Sequence, residues 1–362
     1  MGVSEILFIV IAVFAVLGGV DRIFGNKLGL GASFERGFLT MGPLALTMIG
    51  MIVLAPVLAK LLAPAVVPVY RWLGADPAMF AGSILACDMG GASLAAEMAD
   101  DPALADFGGI LTSSLLGVTV SFTIPVAMGV ISAEDRPYAA KGILCGILTA
   151  PLGIFVGGLV AGIPALTVLR NLLPILPLAL LIALGLWKFE RILIQAFTVF
   201  GKLMTALATV GLLLAIVQSL TGWTPVRGLA PLDDAFVVVG EIAVLLAGAF
   251  PMMWVITKLL NRILVRVGQR MGMNGTSVGG LLTGMVNSIA MFDTVERMDP
   301  RGKVLNMAFA VSASFVFGDH LAFTAGVAPH MLSSLSIGKL TGGISALVMA
   351  FWMTRRQSAK GK

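Results

Sequence analysis

The sequence is poor in charge and in the residue types that hold metals or redox centres. Only 12% of its 362 residues are charged, about half the share of a typical soluble domain. Two histidines are too few for a histidine-rich metal centre, and Cys87 and Cys145 lie in apolar segments without CxxC spacing. We therefore expect no disulfide framework, no metal site and no cofactor.

Enzyme motifs are also missing. The chain has no HExxH, no GxSxG and no GxxxxGK[ST] sequence, so neither a familiar hydrolase nor ATP-driven transport by this chain alone is indicated. We therefore predict that the protein is not an enzyme.

Apolar residues, in contrast, make up 58% of the chain. This composition predicts an all-α polytopic membrane protein whose main partner is the lipid bilayer. The net charge of +5 is then an orientation bias and does not indicate a nucleic-acid partner. The first residues, MGVSE, lack the basic region of a cleavable signal peptide, so the first apolar run is predicted to be a retained span.

Nine continuous apolar runs are long enough to cross a bilayer core of roughly 30 Å. Two further runs, 78–98 and 276–296, are interrupted by glycine or polar residues, which makes nine to eleven predicted membrane segments. No soluble domain is visible, and we interpret residues 1–362 as one integral membrane domain. The nine continuous runs cover residues 4–24, 38–60, 107–131, 140–165, 166–188, 191–220, 236–258, 302–327 and 337–354.

Basic residues indicate how the interrupted runs are placed. If both are re-entrant hairpins and the C-terminus is cytoplasmic, eighteen Lys and Arg are cytoplasmic and five, Lys339 among them, are outside, with Lys202 inside a span. If both cross, the counts become twelve and eleven, which the positive-inside rule disfavours. If only the first crosses, they are seventeen and six, so charge alone leaves that run open.

Short internal matches favour hairpins in both runs. Asp88 and Glu97 are nine residues apart, as are Asn287 and Glu296. Inverted repeats whose broken segments meet near the bilayer midplane are typical of secondary transporters. We predict such repeats over residues 1–165 and 191–354, joined by the span 166–188.

Asp88 is the leading candidate for a site residue. It lies in the middle of the first interrupted run, just before Gly90 and Gly91. Because a carboxylate at membrane depth is energetically costly, its presence there indicates a function. Its counterpart in the repeat is Asn287. One charged and one neutral tip suit a small cation with a hydrogen-bonding end. The alternative is that Asp88 caps free backbone N–H groups at the break.

Asp319 and His320 form a second candidate pair. They follow Gly318 in the middle of the run 302–327. A carboxylate beside an imidazole could bind a cation or relay a proton, or the pair could be a structural hydrogen-bonding link between helices. Lys202, roughly 16 Å into its span, is predicted either to extend to the interface or to pair with a carboxylate.

Several long runs resemble one known family. DPAMFAGSILACDMGG, TIPVAMGVI, MDPRGKVLNMAFAVSASFVFGDHLAF and IGKLTGG are similar to the EutH ethanolamine permeases of bacterial ethanolamine-utilisation operons. With FLTMGPLALTMIGM they extend over nearly the whole chain. The sequence departs from the family pattern at Ala92 and Ser93, where a bulky residue is expected, and at Asn287-Ser288-Ile289-Ala290, where Asn-Asn-Ile-Pro is expected.

The resemblance implies uptake of ethanolamine across the bacterial cytoplasmic membrane. Ethanolamine is a small cation at neutral pH with a hydroxyl at its other end. We expect Asp88 and Asp319 to supply negative charge, with His320 tuning Asp319. The hydroxyl needs an amide or hydroxyl partner, for which the candidates are Asn287, Ser288 and Ser121.

Three other interpretations stay open at this point. The protein could be a Na⁺ or H⁺ symporter of another small polar solute, or an intramembrane enzyme acting on lipid headgroups. It could also be a structural scaffold, which would leave Asp88, Asp319 and His320 unexplained. Passive and ion-coupled transport are both compatible with the sequence, as are a monomer and a homo-oligomer.

Overall fold

The computed structural model describes residues 3–270 and 272–358, and every regular element in these ranges is a helix. The prediction of an all-α polytopic protein is therefore confirmed. The α-helices are α1 (Val3–Ile23), α2 (Leu30–Leu39), α3 (Met41–Trp72), α4 (Ala78–Ile84), α5 (Gly91–Met98), α6 (Pro102–Asp106), α7 (Ile124–Val130), α8 (Arg136–Val160), α9 (Ala165–Leu172), α10 (Ile175–Lys188), α11 (Glu190–Thr221), α12 (Leu232–Arg270), α13 (Gly275–Val286), α14 (Ser288–Phe292), α15 (Pro300–Ala313), α16 (Asp319–Val327) and α17 (Leu332–Ser358).

Five further stretches complete the helical structure. Two are wider, π-helical turns between α6 and α7, and three are tight 3₁₀ turns. They cover Phe107–Gly117 and Thr119–Thr123, and Cys87–Met89, Val295–Arg297 and Pro329–Met331 respectively. Such departures from the α-helix are frequent at functional sites.

Seven helical stretches of the described chain are long and apolar enough to cross a membrane, and they match seven of the nine predicted runs. The run 166–188 is the bent pair α9 and α10, which meet at 41°. The run 302–327 is two helices, because the backbone leaves the helical conformation between Ala313 and Asp319. Residues 359–362, which belong to the basic tail that predicts a cytoplasmic C-terminus, lie outside the described residues.

The interrupted run 78–98 returns to the side from which it starts. Asp76, just before α4, accepts a hydrogen bond from the backbone N–H of Asp100, just after α5, at 3.0 Å. A segment whose two ends are hydrogen-bonded to each other has not crossed a bilayer. The run is thus a re-entrant hairpin, here called the first hairpin, consisting of α4, the Cys87–Met89 turn and α5.

The run 276–296 has the same design. The backbone N–H of Asn274, before α13, donates to Asp299, after α14, at 2.8 Å, and the Asn274 side chain donates to the carbonyl of Arg297 at 3.0 Å. This second hairpin consists of α13, a break at Asn287 and α14. Both interrupted runs are therefore re-entrant hairpins. This includes the run 78–98, for which the charge count allowed either a hairpin or a crossing.

Helix α8 places the bases of the two hairpins at opposite ends of the fold. Asp135, just before α8, pairs with Lys303 in the first turn of α15, beside the base of the second hairpin. At the other end, Gly158 packs against Phe107, which follows the first hairpin. With 25 residues, α8 is roughly 37 Å long, enough to cross the hydrocarbon core. The hairpins therefore enter from opposite faces, whereas the inverted repeat itself stays a prediction.

Small residues allow the central helices α8, α15 and α17 to approach one another. A Cβ on Gly153 of α8 would lie 2.6 Å from the carbonyl oxygen of Gly338 in α17, and one on Gly342 would lie 2.8 Å from the Ser312 side chain of α15. Close van der Waals contact of this kind holds helices together where lipid is as apolar as the side chains. It also brings Lys339 into the interior.

Breaking the Lys303–Asp135 pair by removing one partner should strongly destabilise the protein. Its side chains are 11% and 8% exposed. In Lys303→Met, Asp135 keeps its buried charge without a partner, so we expect a loss of about 3–5 kcal/mol, measured by thermal unfolding in detergent. Lys303→Met with Asp135→Leu should recover most of the loss, and an equally unstable double variant would contradict the assignment.

Gly90 should be intolerant of a side chain for two separable reasons. Its φ is +95°, and a Cβ there would lie 2.7 Å from the Cε and 2.9 Å from the Cβ of Met51. Gly74 also has a positive φ, +73°, but open space around it. We expect Gly74→Ala to cost about 1–2 kcal/mol from backbone strain and Gly90→Ala to cost more, by thermal unfolding in detergent.

The contact with Met51 can be tested by a double-mutant cycle. The double variant Gly90→Ala with Met51→Ala should lose less stability than the sum of the two single variants, because alanine removes the Cε of Met51, which would lie 2.7 Å from the new Cβ. Strict additivity would show that the Met51 side chain beyond its Cβ does not oppose a side chain at position 90.

Candidate functional site

The hairpin tips and the break between α15 and α16 line one cavity of about 500 Å³. Four of the six predicted site residues are part of its wall. The first hairpin contributes Asp88, the second contributes Asn287, and the N-terminus of α16 contributes Asp319 and His320. Three separate breaks in the helical structure thus bring these polar groups together.

The other two predicted residues, Ser121 and Ser288, do not line the cavity. Ser121 accepts a hydrogen bond from the backbone N–H of Ala86 at 3.0 Å and donates to the carbonyl of Gly117 at 2.9 Å. It therefore braces the break of the first hairpin. Ser288 is fully buried, and its hydroxyl finds no partner among the described residues.

The side-chain oxygen of Asn287 takes part in hydrogen bonds within the fold. It accepts hydrogen bonds from the N–H groups of Ile289 at 2.9 Å and Ala290 at 3.2 Å, which caps the N-terminus of α14. The amide NH₂ remains for a ligand, so toward the cavity Asn287 can act only as a donor.

Phe315 has a backbone conformation that is rare for a residue with a side chain. Its φ is +59°, and its N–H donates to the carbonyl of Gly284 in the second hairpin at 3.2 Å. The conformation aims its ring at Phe122, 5.7 Å away, and at the His320 imidazole, 5.2 Å away. Strain of this kind is typical of functional sites, and here it presents an aromatic surface to the cavity.

His320 lies between Asp88 and Lys339. Its Nε2 is 3.8 Å from a carboxylate oxygen of Asp88, and its Nδ1 is 3.2 Å from the Nζ of Lys339. When Lys339 is an ammonium, which can only donate hydrogen bonds, Nδ1 accepts, and a neutral ring then carries its proton on Nε2, facing Asp88. Instead of tuning Asp319, as the sequence analysis expects, the ring nitrogens of His320 connect Asp88 to Lys339.

Lys339 is the main residue that the sequence analysis misses, since it places this residue outside the membrane. Its side chain has no exposed surface, and its Nζ also donates to the carbonyl of Ser114. The sequence does contain a signal. Gly342 and Gly343 follow Lys339 by three and four residues, so small residues share its helix face and predict close packing there.

Cys87, Asp88 and His320 also form a cluster with metal-ligand atoms within 4.8 Å of one another, which the sequence analysis does not foresee. The neighbouring Lys339 argues against a metal. An ammonium at Nδ1 leaves the ring proton on Nε2, the nitrogen that a metal in this cluster would need. The contacts fit a chain of hydrogen-bonding groups better than a metal centre.

The electrostatics of the cavity favour a cationic ligand. Asp88 and Asp319 are both partly buried, and carboxylates at membrane depth are expensive unless a positive charge joins them. Arg36 also lines the cavity, but it is exposed, and its guanidinium lies 5.6 Å from the Phe250 ring. The cavity therefore offers two acidic groups, Asp88 and Asp319, to a cation.

Other polar groups at membrane depth lie elsewhere. Glu241 lines a larger space of about 640 Å³ whose wall is otherwise apolar and includes the exposed side chains of Val237 and Val244. That space is a groove on the lipid-facing surface. Lys202 is exposed on α11 and does not line the cavity of the site.

The chain is similar to known proteins over nearly its whole length. The family model described as "Ethanolamine utilisation protein, EutH" matches residues 3–353. A Listeria monocytogenes protein named "Probable ethanolamine permease EutH" is 49% identical over 362 residues, which cover 100% of this chain and 97% of that protein. An Escherichia coli protein of the same name is 40% identical over 397 aligned positions, covering 99% and 97% of the two chains.

The similarity also extends to a Bacillus subtilis protein named "Uncharacterized protein YxeR", which is 45% identical over 360 residues, 99% of this chain and 97% of its own. No solved structure matches the chain. The family model and these relatives cover nearly every described residue, including both hairpins and all residues of the cavity. The chain therefore belongs to the EutH family of ethanolamine utilisation proteins.

Proposed function

We propose that this protein carries ethanolamine, as its cation, across the bacterial cytoplasmic membrane. The observation that carries the proposal is the cavity between the two hairpin tips, where Asp88 and Asp319 lie together at membrane depth. Relatives named as probable ethanolamine permeases support the choice of substrate and favour a transporter over an enzyme.

The ammonium group of ethanolamine would bind between the two carboxylates. A hydrogen bond between charged groups is roughly twice as strong as one between neutral groups. The rings of Phe122 and Phe315, which pack edge to face at 5.7 Å, would add cation–π attraction in a desolvated setting.

The hydroxyl group of ethanolamine would accept a hydrogen bond from the side-chain amide of Asn287. The cap on α14 fixes the direction of that amide, so the donor is held in place before the substrate arrives. The second hairpin would then bind the hydroxyl end of the substrate through Asn287, while the first hairpin would bind the ammonium end through Asp88.

Alternating access would follow from the placement of the hairpins. They enter from opposite faces, and their tips form two walls of the same cavity. Moving either tip aside would open the site to one face only, as in transporters with broken helices at the midplane. In this arrangement residues 1–362 form one domain of inverted halves, 1–165 and 191–354, joined by 166–188, with a cytoplasmic C-terminus.

Transport of another small solute by symport is the main alternative, and one uptake assay distinguishes the two. Purified protein in liposomes should take up labelled ethanolamine saturably at mildly acidic pH, where neutral ethanolamine that crosses lipid unaided is scarce. Absence of uptake above empty liposomes, with the protein shown to be folded, would reject the proposal and favour another solute.

Asp88→Asn should raise the KM for ethanolamine at least about tenfold, because a hydrogen bond to a charged group is worth roughly 1.5–3 kcal/mol. The variant keeps the size of the side chain. Asp293→Asn is the matched control, since Asp293 is exposed near the end of the second hairpin. Equal KM values for Asp88→Asn and the wild type would remove Asp88 from the site.

Asn287→Ser should reduce recognition of the hydroxyl specifically. Serine still caps a helix but is too short to present the amide donor. We expect about three- to tenfold weaker binding of ethanolamine, from a loss of roughly 0.5–1.5 kcal/mol, and little change for n-propylamine, in which a methyl group replaces the hydroxyl. Competition assays against labelled ethanolamine measure both, and equal losses for the two amines would contradict this role.

A further inference from the structure

Lys339 has an environment suited to a neutral amine as well as to an ammonium. Its side chain is completely buried. Among the described residues only the Ser114 carbonyl and the Nδ1 of His320 accept hydrogen bonds from its Nζ. Both acceptors are neutral, and they number two, whereas an ammonium has three N–H donors and a neutral amine has two.

The titratable groups that face Lys339 lie on its cavity side. Cys87 and Asp88 of the first hairpin lie within 4.8 Å of the His320 ring that contacts it, and α16 contributes His320 itself and Asp319 further along the cavity wall. The π-helical turn Phe107–Gly117, which supplies the Ser114 carbonyl, contains no titratable side chain.

Charged groups on the other elements that pack against α17 are more distant. On α8 the nearest is Lys141, twelve residues or roughly 18 Å along the helix from Gly153, which contacts α17. On α15 the nearest is Lys303, nine residues or roughly 13 Å from Ser312, which also contacts α17. His330 lies nine residues before Lys339, where it pairs with Asp106, and Glu5 is exposed at the start of α1. The chemistry around Lys339 is therefore that of the cavity.

We propose that Lys339 releases its proton when a cation binds beside Asp88 and recovers it when the cation leaves. This inference rests on the proposed binding of ethanolamine in the cavity. Two positive charges that share one set of carboxylates in a low-dielectric interior repel each other. Lysine lowers this repulsion by losing a proton, which arginine does not do.

The contacts supply a path for that proton. Lys339 Nζ donates its proton to Nδ1 of His320, the ring passes the proton of Nε2 to a carboxylate oxygen of Asp88, and Asp88 releases it to the cavity. A rotation of the Asp88 side chain closes the 3.8 Å gap from Nε2. At the end Lys339 is a neutral amine, His320 is neutral with its proton on Nδ1, Asp88 is again a carboxylate, and one proton has left.

Transport would then be electroneutral. The proton leaves on the side where the cation binds and returns on the side where the cation is released, so one cation moves inward for each proton that moves outward. The net result equals the movement of neutral ethanolamine, and the membrane potential does not drive it. Simple cation uniport would instead carry one charge per cycle.

The test uses the full-length protein in liposomes and in detergent, with ethanolamine as the probe. Valinomycin and a potassium gradient impose an inside-negative potential, and a pH indicator in weakly buffered detergent solution counts the protons released on binding. For the wild type we expect initial uptake rates to be the same with and without the potential, and about one proton to be released for each cation bound.

Three lysine variants test whether Lys339 is the group that releases the proton. Lys339→Met has no proton to release, so binding should release none and uptake should become several-fold faster under the potential. Lys339→Arg keeps its charge, so ethanolamine should bind more weakly than in the wild type, again without proton release. Lys202→Met makes the same change at an exposed position of α11 and should behave as the wild type.

Each contrary result has a distinct meaning. Wild-type uptake that accelerates under the potential, or binding without proton release, would overturn the proposal even if no variant folds. Proton release that persists in Lys339→Met would assign the proton to a carboxylate or to the substrate, and would overturn the role of Lys339. Absence of saturable uptake and of binding in the wild type would instead reject ethanolamine as the substrate.

Discussion

Backbone groups that leave a helix inside a bilayer need hydrogen-bond partners within the protein, because the hydrocarbon core offers none. Most contacts around the cavity meet this requirement. The N–H of Ala86 at the first break donates to Ser121, and the N–H groups of Phe315 and Phe317 donate to the carbonyls of Gly284 and Met285. The breaks can therefore exist only where several elements meet, and this places them together in the interior.

Because the breaks in the helices lie together, the ionisable residues beside them lie together as well. Asp88 and Asp319 stand at two of the breaks, and His320 and Lys339 lie behind them. Isolated, each charge would be costly at this depth. In the proposed mechanism one positive group replaces another within this set, so burial of the carboxylates would select cations and would link their binding to release of a proton.

The two hairpins enter from opposite faces of the membrane, and their tips meet the site from either side. The ends of each hairpin are tied by hydrogen bonds at one face, through Asp76 and Asp100 in one case and Asn274 and Asp299 in the other. The long helices α8, α15 and α17 pack against one another through small residues. The hairpin tips are held instead by hydrogen bonds to neighbouring broken segments, from the N–H of Ala86 to Ser121 and from the N–H of Phe315 to Gly284.

The amino-acid sequence by itself determined the class of protein, the positions of the long spans and four of the polar residues in the cavity. Hydrophobic length and the rarity of charge in apolar runs are local properties, so Asp88, Asn287, Asp319 and His320 could be found without a fold. The resemblance of long runs to one family likewise needed only the order of residues.

Only the tertiary structure decided which groups share a site. It showed that Ser121 supports the backbone of the first hairpin, that the imidazole of His320 faces Asp88 and not Asp319, and that Lys339 is buried two turns into α17. These assignments depend on contacts between residues far apart in the chain, such as Lys339 and Ser114. No local pattern specifies such contacts, because they arise from how glycine-rich helices approach each other and where broken helices find their hydrogen-bond partners.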